Sequence, residues 1–165
     1  MKNDKEMRDL LINLLDGKGA HMTFDMAVIK FPVSKINEKF TNSDYTPWRL
    51  LEHIRRTQLD ILDFIVNPKY KYLEWPNDYW PPVDAKATKK DFDETIAAYN
   101  KDLNKFKKLV KDPKTDLFKK IPWGEGQNIF KEVLVVADHT SYHLGEFAVT
   151  RQAMDTWPKG RDSKL

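Results

Sequence analysis

Apolar residues along this chain fall three and four positions apart over long stretches, the spacing of one face of an α-helix, and no stretch keeps the alternation of a half-buried strand. Asp4 can cap a first helix whose stripe is Met7, Leu10, Leu11 and Leu14, and Gly17 stops it. A short helix is expected from Thr23 to about Phe31, ahead of Pro32. Thr46 and Pro47 supply an N-cap and a first helical residue for a long helix that buries Leu50, Leu51, Ile54, Ile61, Leu62 and Ile65 and ends at Asn67-Pro68. Thr88 and Asp91 cap the next. Its apolar residues Phe92, Ile96, Tyr99, Leu103, Phe106 and Val110 alternate spacings of four and three, as a bundle seam requires, and Asp112-Pro113 closes it. A last helix is expected from about Asn128 to Met154, before Trp157-Pro158.

These elements predict an all-α fold: a four-helix up-and-down bundle with a short extra helix and long connecting loops, residues 1–165 forming one domain. There is no internal repeat and no low-complexity segment. Residues 67–87, with "YLEWPNDYWPP", and 112–127, with "LFKKIPWGEGQN", are the substantial loops. Their aromatics can cover the end of a bundle or wall a pocket there, and the sequence leaves both open.

Composition narrows the chemistry. The 28 basic and 25 acidic residues are interspersed, and a net charge of +3 spread in this way lacks the concentrated basic face of a nucleic-acid binder. The lysine-rich run from Lys101 to Lys111 reads as a solvated helix face. The start, "MKNDKEMRDLL", has no apolar run of signal-peptide type, and no segment approaches membrane-spanning length. Cysteine is absent, which excludes disulfides, thiolate metal sites and a cysteine nucleophile, and fits a cytoplasmic protein. A metal here must be held by nitrogen and oxygen.

Two of the four histidines stand in "ADHTSYHLGEF". On a helix His139 and His143 lie roughly 40° apart on one face. Glu146 is one turn further on, and Ile129, Val135, Val136, Phe147 and Met154 lie at similar angles. Imidazoles set into an apolar stripe need hydrogen-bond partners or a cation, because unpaired polar groups in a core are costly. An i, i+4 pair can give two nitrogens to one ion without straining the helix. His53, near the edge of the stripe in "LLEHIRR", is the candidate third ligand. The plain alternative is a set of core histidines hydrogen-bonded to their neighbours, since HxxxH alone is common. His21, before the short helix, reads as a capping or loop-fixing residue. Glu132 lies about 10 Å along the helix from His139, too far to share its ligand shell, and reads as a helix-start carboxylate. Trp75, Tyr79, Trp80 and Trp123 read mainly as packing residues, with Tyr79 or Trp80 the ones that could meet a substrate.

Taken together, "TPWRLLEHIRRTQLDILDF", "YWPP" and "ADHTSYHLGEF", with "GAHMTFDMAVIKFP" upstream, resemble the DinB-like superfamily of bacterial proteins over nearly the whole chain. The resemblance implies a four-helix bundle of the DinB/YfiT type and a divalent metal, nickel or zinc, held by His53, His139 and His143. The family often has glutamine where this chain has Glu146, so that carboxylate can be a fourth ligand, a hydrogen-bond partner to an imidazole, or a catalytic proton acceptor. What the resemblance implies is a metal-dependent hydrolase, or a transferase of a low-molecular-weight thiol, acting on a small-molecule substrate, in a chain that can form a homodimer. The competing expectation is a non-catalytic metal-binding or ligand-binding bundle, associated with stress, in which Glu146 closes the metal's shell.

Overall fold

Thr46, in extended conformation, accepts from the backbone N–H of Arg49, and Pro47 follows it, so the apolar stripe from Leu50 to Ile65 starts as a helix where its cap dictates. The computed structural model describes residues 2–40 and 43–158. Among them it contains five α-helices: α1 (Lys2–Leu15), α2 (Phe24–Val28), α3 (Pro47–Val66), α4 (Lys89–Lys111) and α5 (Ile129–Ala153). A single 3-10 turn spans Val33–Lys35, and the described residues hold no β-strand. The fold is all-α. Thr88 and Asp91 form a reciprocal capping box at the start of α4, and Asn128 caps α5 by accepting from Lys131 N–H at 2.9 Å. Gly17, at φ +68°, ends α1 in the left-handed conformation that glycine adopts without strain.

Each of the four long helices packs on two others, in the cyclic order α1, α4, α3, α5. Their directions do not simply alternate. Trp48 and Glu52, early in α3, meet Thr95, early in α4, while Leu62 and Val66 share a groove with Lys108 and Asp112 at the other end. Helices α3 and α4 therefore run the same way. The chain can do this because a 20-residue helix is only ~30 Å long. Residues 67–88, extended at ~3.3 Å each, are more than sufficient to return along it.

Other expectations are corrected. Asp4 lies inside α1 and accepts from Arg8 Nε at 2.9 Å, so it is no cap. Leu10 and Leu14 face solvent, and the buried leucines of α1 are Leu11 and Leu15. Val135 of α5 is also exposed. Helix α2 stops at Val28, where Ile29 leaves the helical region at ψ 128° and Lys30 takes φ +50°, and the carbonyls of Ala27 and Ile29 accept from Arg151 at 2.6 and 2.9 Å.

The core is formed by α3, α4 and α5 around residues such as Leu50, Leu51, Ile54, Tyr99, Phe106, Val110 and Phe147, with Phe24 stacked on Tyr99 at 3.7 Å. Gln58, 1% exposed, is out of character in it. Neither its Nε2 nor its Oε1 has a hydrogen-bond partner among the described residues. An unsatisfied buried polar group costs about 1–3 kcal/mol. Gln58→Met, with similar length and no polar demand, is expected to stabilise the fold by about 1–2 kcal/mol, read as a higher urea midpoint. A lower midpoint would show that the amide is instead hydrated and contributing.

Candidate metal centre

Helices α3 and α5 run antiparallel, which brings the first half of α3 against the middle of α5. His53, 1% exposed, projects from α3, and His139 and His143 from adjacent turns of α5 at the margin of its buried stripe. Nε2 of His53 lies 3.1 Å from Nε2 of His139 and 3.2 Å from Nε2 of His143. One ring nitrogen from each residue falls within 4.8 Å of the others. The rings stand edge-on to one another, at 64°, 89° and 65°, so their nitrogens converge without any pair stacking. In a tetrahedral site with Zn–N of ~2.05 Å, ligand nitrogens are about 3.3 Å apart, close to the two short separations seen here.

Two of the rings have fixed tautomers. His53 Nδ1 donates to the Tyr79 carbonyl at 3.1 Å, and His143 Nδ1 donates to Glu146 Oε2 at 2.6 Å. A carbonyl and a carboxylate only accept, so in each neutral ring the proton sits on Nδ1 and Nε2 carries a lone pair. Lone pairs 3.2 Å apart repel unless a positive charge lies between them. A proton is disfavoured there. Burial pushes His53 down to about 4, with His143 adding to the effect against the opposing pull of the Tyr79 carbonyl. Burial, with His143 and His53 nearby, pushes His139 down to about 3. Imidazole nitrogens converging in this way are a donor set suited to a divalent transition-metal ion, and such sites take zinc, nickel, copper or iron.

The surroundings come largely from the loop after α3. Trp80 stacks on His53 at 3.8 Å and 7°, and the exposed Trp75 approaches the same ring edge-on at 6.2 Å. Tyr142, also exposed, stands edge-on to His143 at 4.9 Å. Residues 79–81 are held down by arginines of α3. Arg56 donates to the carbonyls of Asp78 and Trp80, and the buried Arg49 donates to those of Pro81 and Asp44. Glu52 orients Arg55 and Arg56. Burial pushes its carboxyl up, but those guanidiniums and Thr95 outweigh the burial and hold it below the usual carboxylate range. The phenol of Tyr45 hydrogen-bonds to Glu146, and burial together with that carboxylate raises its pKa.

The structure thus brings His53, His139 and His143 together and places Glu146 behind His143, on the nitrogen remote from the convergence. Glu132 is buried at the start of α5, where burial raises its pKa. His21 lies across α5 from the triad. Its Nδ1 donates to the Met22 carbonyl at 2.8 Å, and its Nε2 is 2.8 Å from Ser141 Oγ. It ties the segment after α1 to α5, as a loop-fixing residue does. It lines a cavity of about 390 Å³ with Asp16, Tyr99, Lys107 and Ser141, separate from the triad. The residue whose part the sequence reading missed is Tyr79, which acts through its carbonyl; every residue has one, so no side-chain pattern marks it. No helix among the described residues is long and apolar enough to cross a membrane.

The depressed imidazole values set a pH dependence. The unfolded chain protonates these rings near 6.5, whereas the folded chain does so only near 4 for His53 and 3 for His139. Across that interval the unfolded state binds more protons, so stability falls as pH is lowered, and above it the two rings contribute no slope. Chelator-treated protein is expected to lose melting temperature steadily from about pH 6.5 to 5, above the main carboxylate range. His139→Ala should flatten that slope. A native protein whose melting temperature is constant over the interval would contradict the buried neutral state of the rings.

Comparison with known proteins makes no assignment: no protein-family model, curated protein or solved structure matches this chain.

Proposed function

We propose that this chain is a metal-dependent enzyme of the DinB-like kind, a four-helix bundle in which His53, His139 and His143 hold a divalent ion, nickel or zinc, and a small molecule is hydrolysed or receives a low-molecular-weight thiol. The observation that carries the reading is the division of labour between the nitrogens: Nε2 atoms converge while Nδ1 of His53 and of His143 is occupied by Tyr79 and Glu146. Histidine ligands ordinarily have their second nitrogen held in this way. When bound, such an ion lowers the pKa of a coordinated water or thiol and polarises an oxygen of the substrate.

Glu146 argues for an open site. Its Oε2 engages His143 Nδ1, on the far side of the ring, so it acts through that histidine as a positioning residue. Three protein ligands, with no fourth side chain among the convergent atoms of the described residues, is the pattern of catalytic centres, whereas structural zinc sites close with four. Trp75 and Tyr142, exposed on either side of the triad, offer aromatic surface to the apolar part of a substrate.

The test is ligand exchange. Cobalt(II)-loaded protein titrated with azide, imidazole and a small thiol is expected to change its visible absorption in a saturable way, and screening with thiols and hydrolysable esters follows. A spectrum unmoved by all three at saturating concentration would instead support a closed, non-catalytic metal site.

A further inference from the structure

Tyr79 touches α3 at two places. Its phenol donates to Asp60 Oδ2 at 2.7 Å, and its backbone carbonyl accepts from His53 Nδ1 at 3.1 Å. Asp60 is two helical turns beyond His53, ~10 Å along the same face, a span that the length of a tyrosine bridges. The other oxygen of the same carboxylate, Asp60 Oδ1, accepts from the phenol of Tyr70 at 2.8 Å. One aspartate therefore anchors both the start of the loop and its return, and the return segment sets two groups against the His53 ring: the Tyr79 carbonyl at its Nδ1 and Trp80 on its face.

We propose that Asp60 and Tyr79 form a strut that positions His53, holding it as the Nδ1–H tautomer with its ring oriented so that Nε2 is presented to the triad. The inference rests on the metal-centre reading for its purpose but not for its geometry. An unconstrained neutral imidazole exchanges between two tautomers and turns about its side-chain torsions, and only one combination points a lone pair at His139 and His143. The Tyr79 carbonyl selects that combination, and it stays in the plane of the ring because the phenol of the same residue is fixed at the far end of the strut. Trp80, stacked at 7°, blocks rotation of the ring out of that plane. Arg56, donating to the carbonyls of Asp78 and Trp80 at 3.3 Å each, holds the backbone on either side of Tyr79.

Tyr70 supplies a matched control, since Tyr70→Phe removes a hydrogen bond to the same carboxylate without touching the segment that reaches His53. The experiment compares native protein with Tyr79→Phe, Asp60→Asn and Tyr70→Phe. Zinc affinity is measured by competition with a chelating dye, and the His53 tautomer by long-range proton–nitrogen NMR of the imidazole in the metal-free protein. Tyr79→Phe and Asp60→Asn are expected to lower zinc affinity by about 10-fold or more, the usual effect of removing a partner behind a ligand. Both should give His53 a mixed-tautomer signal. Tyr70→Phe should leave both readouts close to native. If Tyr79→Phe and Tyr70→Phe lose melting temperature alike while the His53 signal stays that of pure Nδ1–H, the strut is structural only and the inference fails. Should the native protein bind no zinc, the metal-centre reading falls, and the metal-free NMR comparison still decides the strut.

Discussion

Replacing His139 and His143 together with alanine is expected to take metal content from about one ion per chain to almost none, measured by elemental analysis of untagged protein purified without chelator. The variant removes two of the three converging nitrogens, and His53 alone is a weak ligand. The same substitution ought not to destabilise the metal-free protein much. It deletes two half-buried imidazoles, and one of them, His143, sets its Nε2 lone pair 3.2 Å from that of His53. A melting temperature at or above that of chelator-treated native protein is the expected result, and it separates a site built for an ion from histidines that serve the core. If neither protein takes up metal after incubation with zinc or nickel, the triad is a set of core imidazoles and the enzymatic reading goes with it.

Arg151→Met is expected to destabilise the protein by about 3–4 kcal/mol, the largest effect foreseen for a single substitution away from the triad. Arg151 is fully buried near the end of α5. Its guanidinium donates to the carbonyls of Ala27 and Ile29 at the end of α2, at 2.6 and 2.9 Å, and to that of Thr156 at 2.6 Å. It also lies 4.1 Å from the Trp157 ring and 5.2 Å from that of Phe31. Methionine fills the volume but leaves three carbonyls without their donor, two of them in contacts sealed from water, and each such loss costs about 1–3 kcal/mol before the structure relaxes. Urea unfolding measures the difference. A loss below about 1 kcal/mol would mean that water replaces the guanidinium at little cost, and Arg151→Lys, with one compact ammonium, should fall between the two.

Two further arginines are used in the same manner, and they show where pattern reading stops. Arg8 donates to the carbonyls of Val110, Asp112 and Thr115, closing the end of α4, and Arg49 ties Asp44 and Pro81 to α3. A periodicity argument assigns charged residues to the solvent side, because burying a charge is costly unless it is paired. The partners that make burial affordable are backbone carbonyls up to 124 residues away in sequence, and nothing local announces them. The misassigned leucines of α1 have a related cause. Leu10, Leu11, Leu14 and Leu15 make an apolar arc wider than one contact face, and only the positions of α4 and α5 decide that Leu11 and Leu15 are covered.

What the sequence determined by itself are the properties that depend on neighbours a few residues away. The caps at Thr46, Thr88 with Asp91 and Asn128, the stops at Gly17, Asn67 and Asp112, and the i, i+4 placement of His139 and His143 are of this kind, since hydrogen bonds of the first turn and the 3.6-residue period are local. Tertiary structure decided what depends on how separate helices meet. The parallel course of α3 and α4, the three buried arginines, the 3.1–3.2 Å convergence of His53 with the α5 pair, and the Tyr79 carbonyl behind His53 all arise from contacts across long sequence separations. The physical reason is the same in each case. A backbone carbonyl or a lone pair acquires its meaning from the atom placed opposite it, and that atom is supplied by another element of the fold.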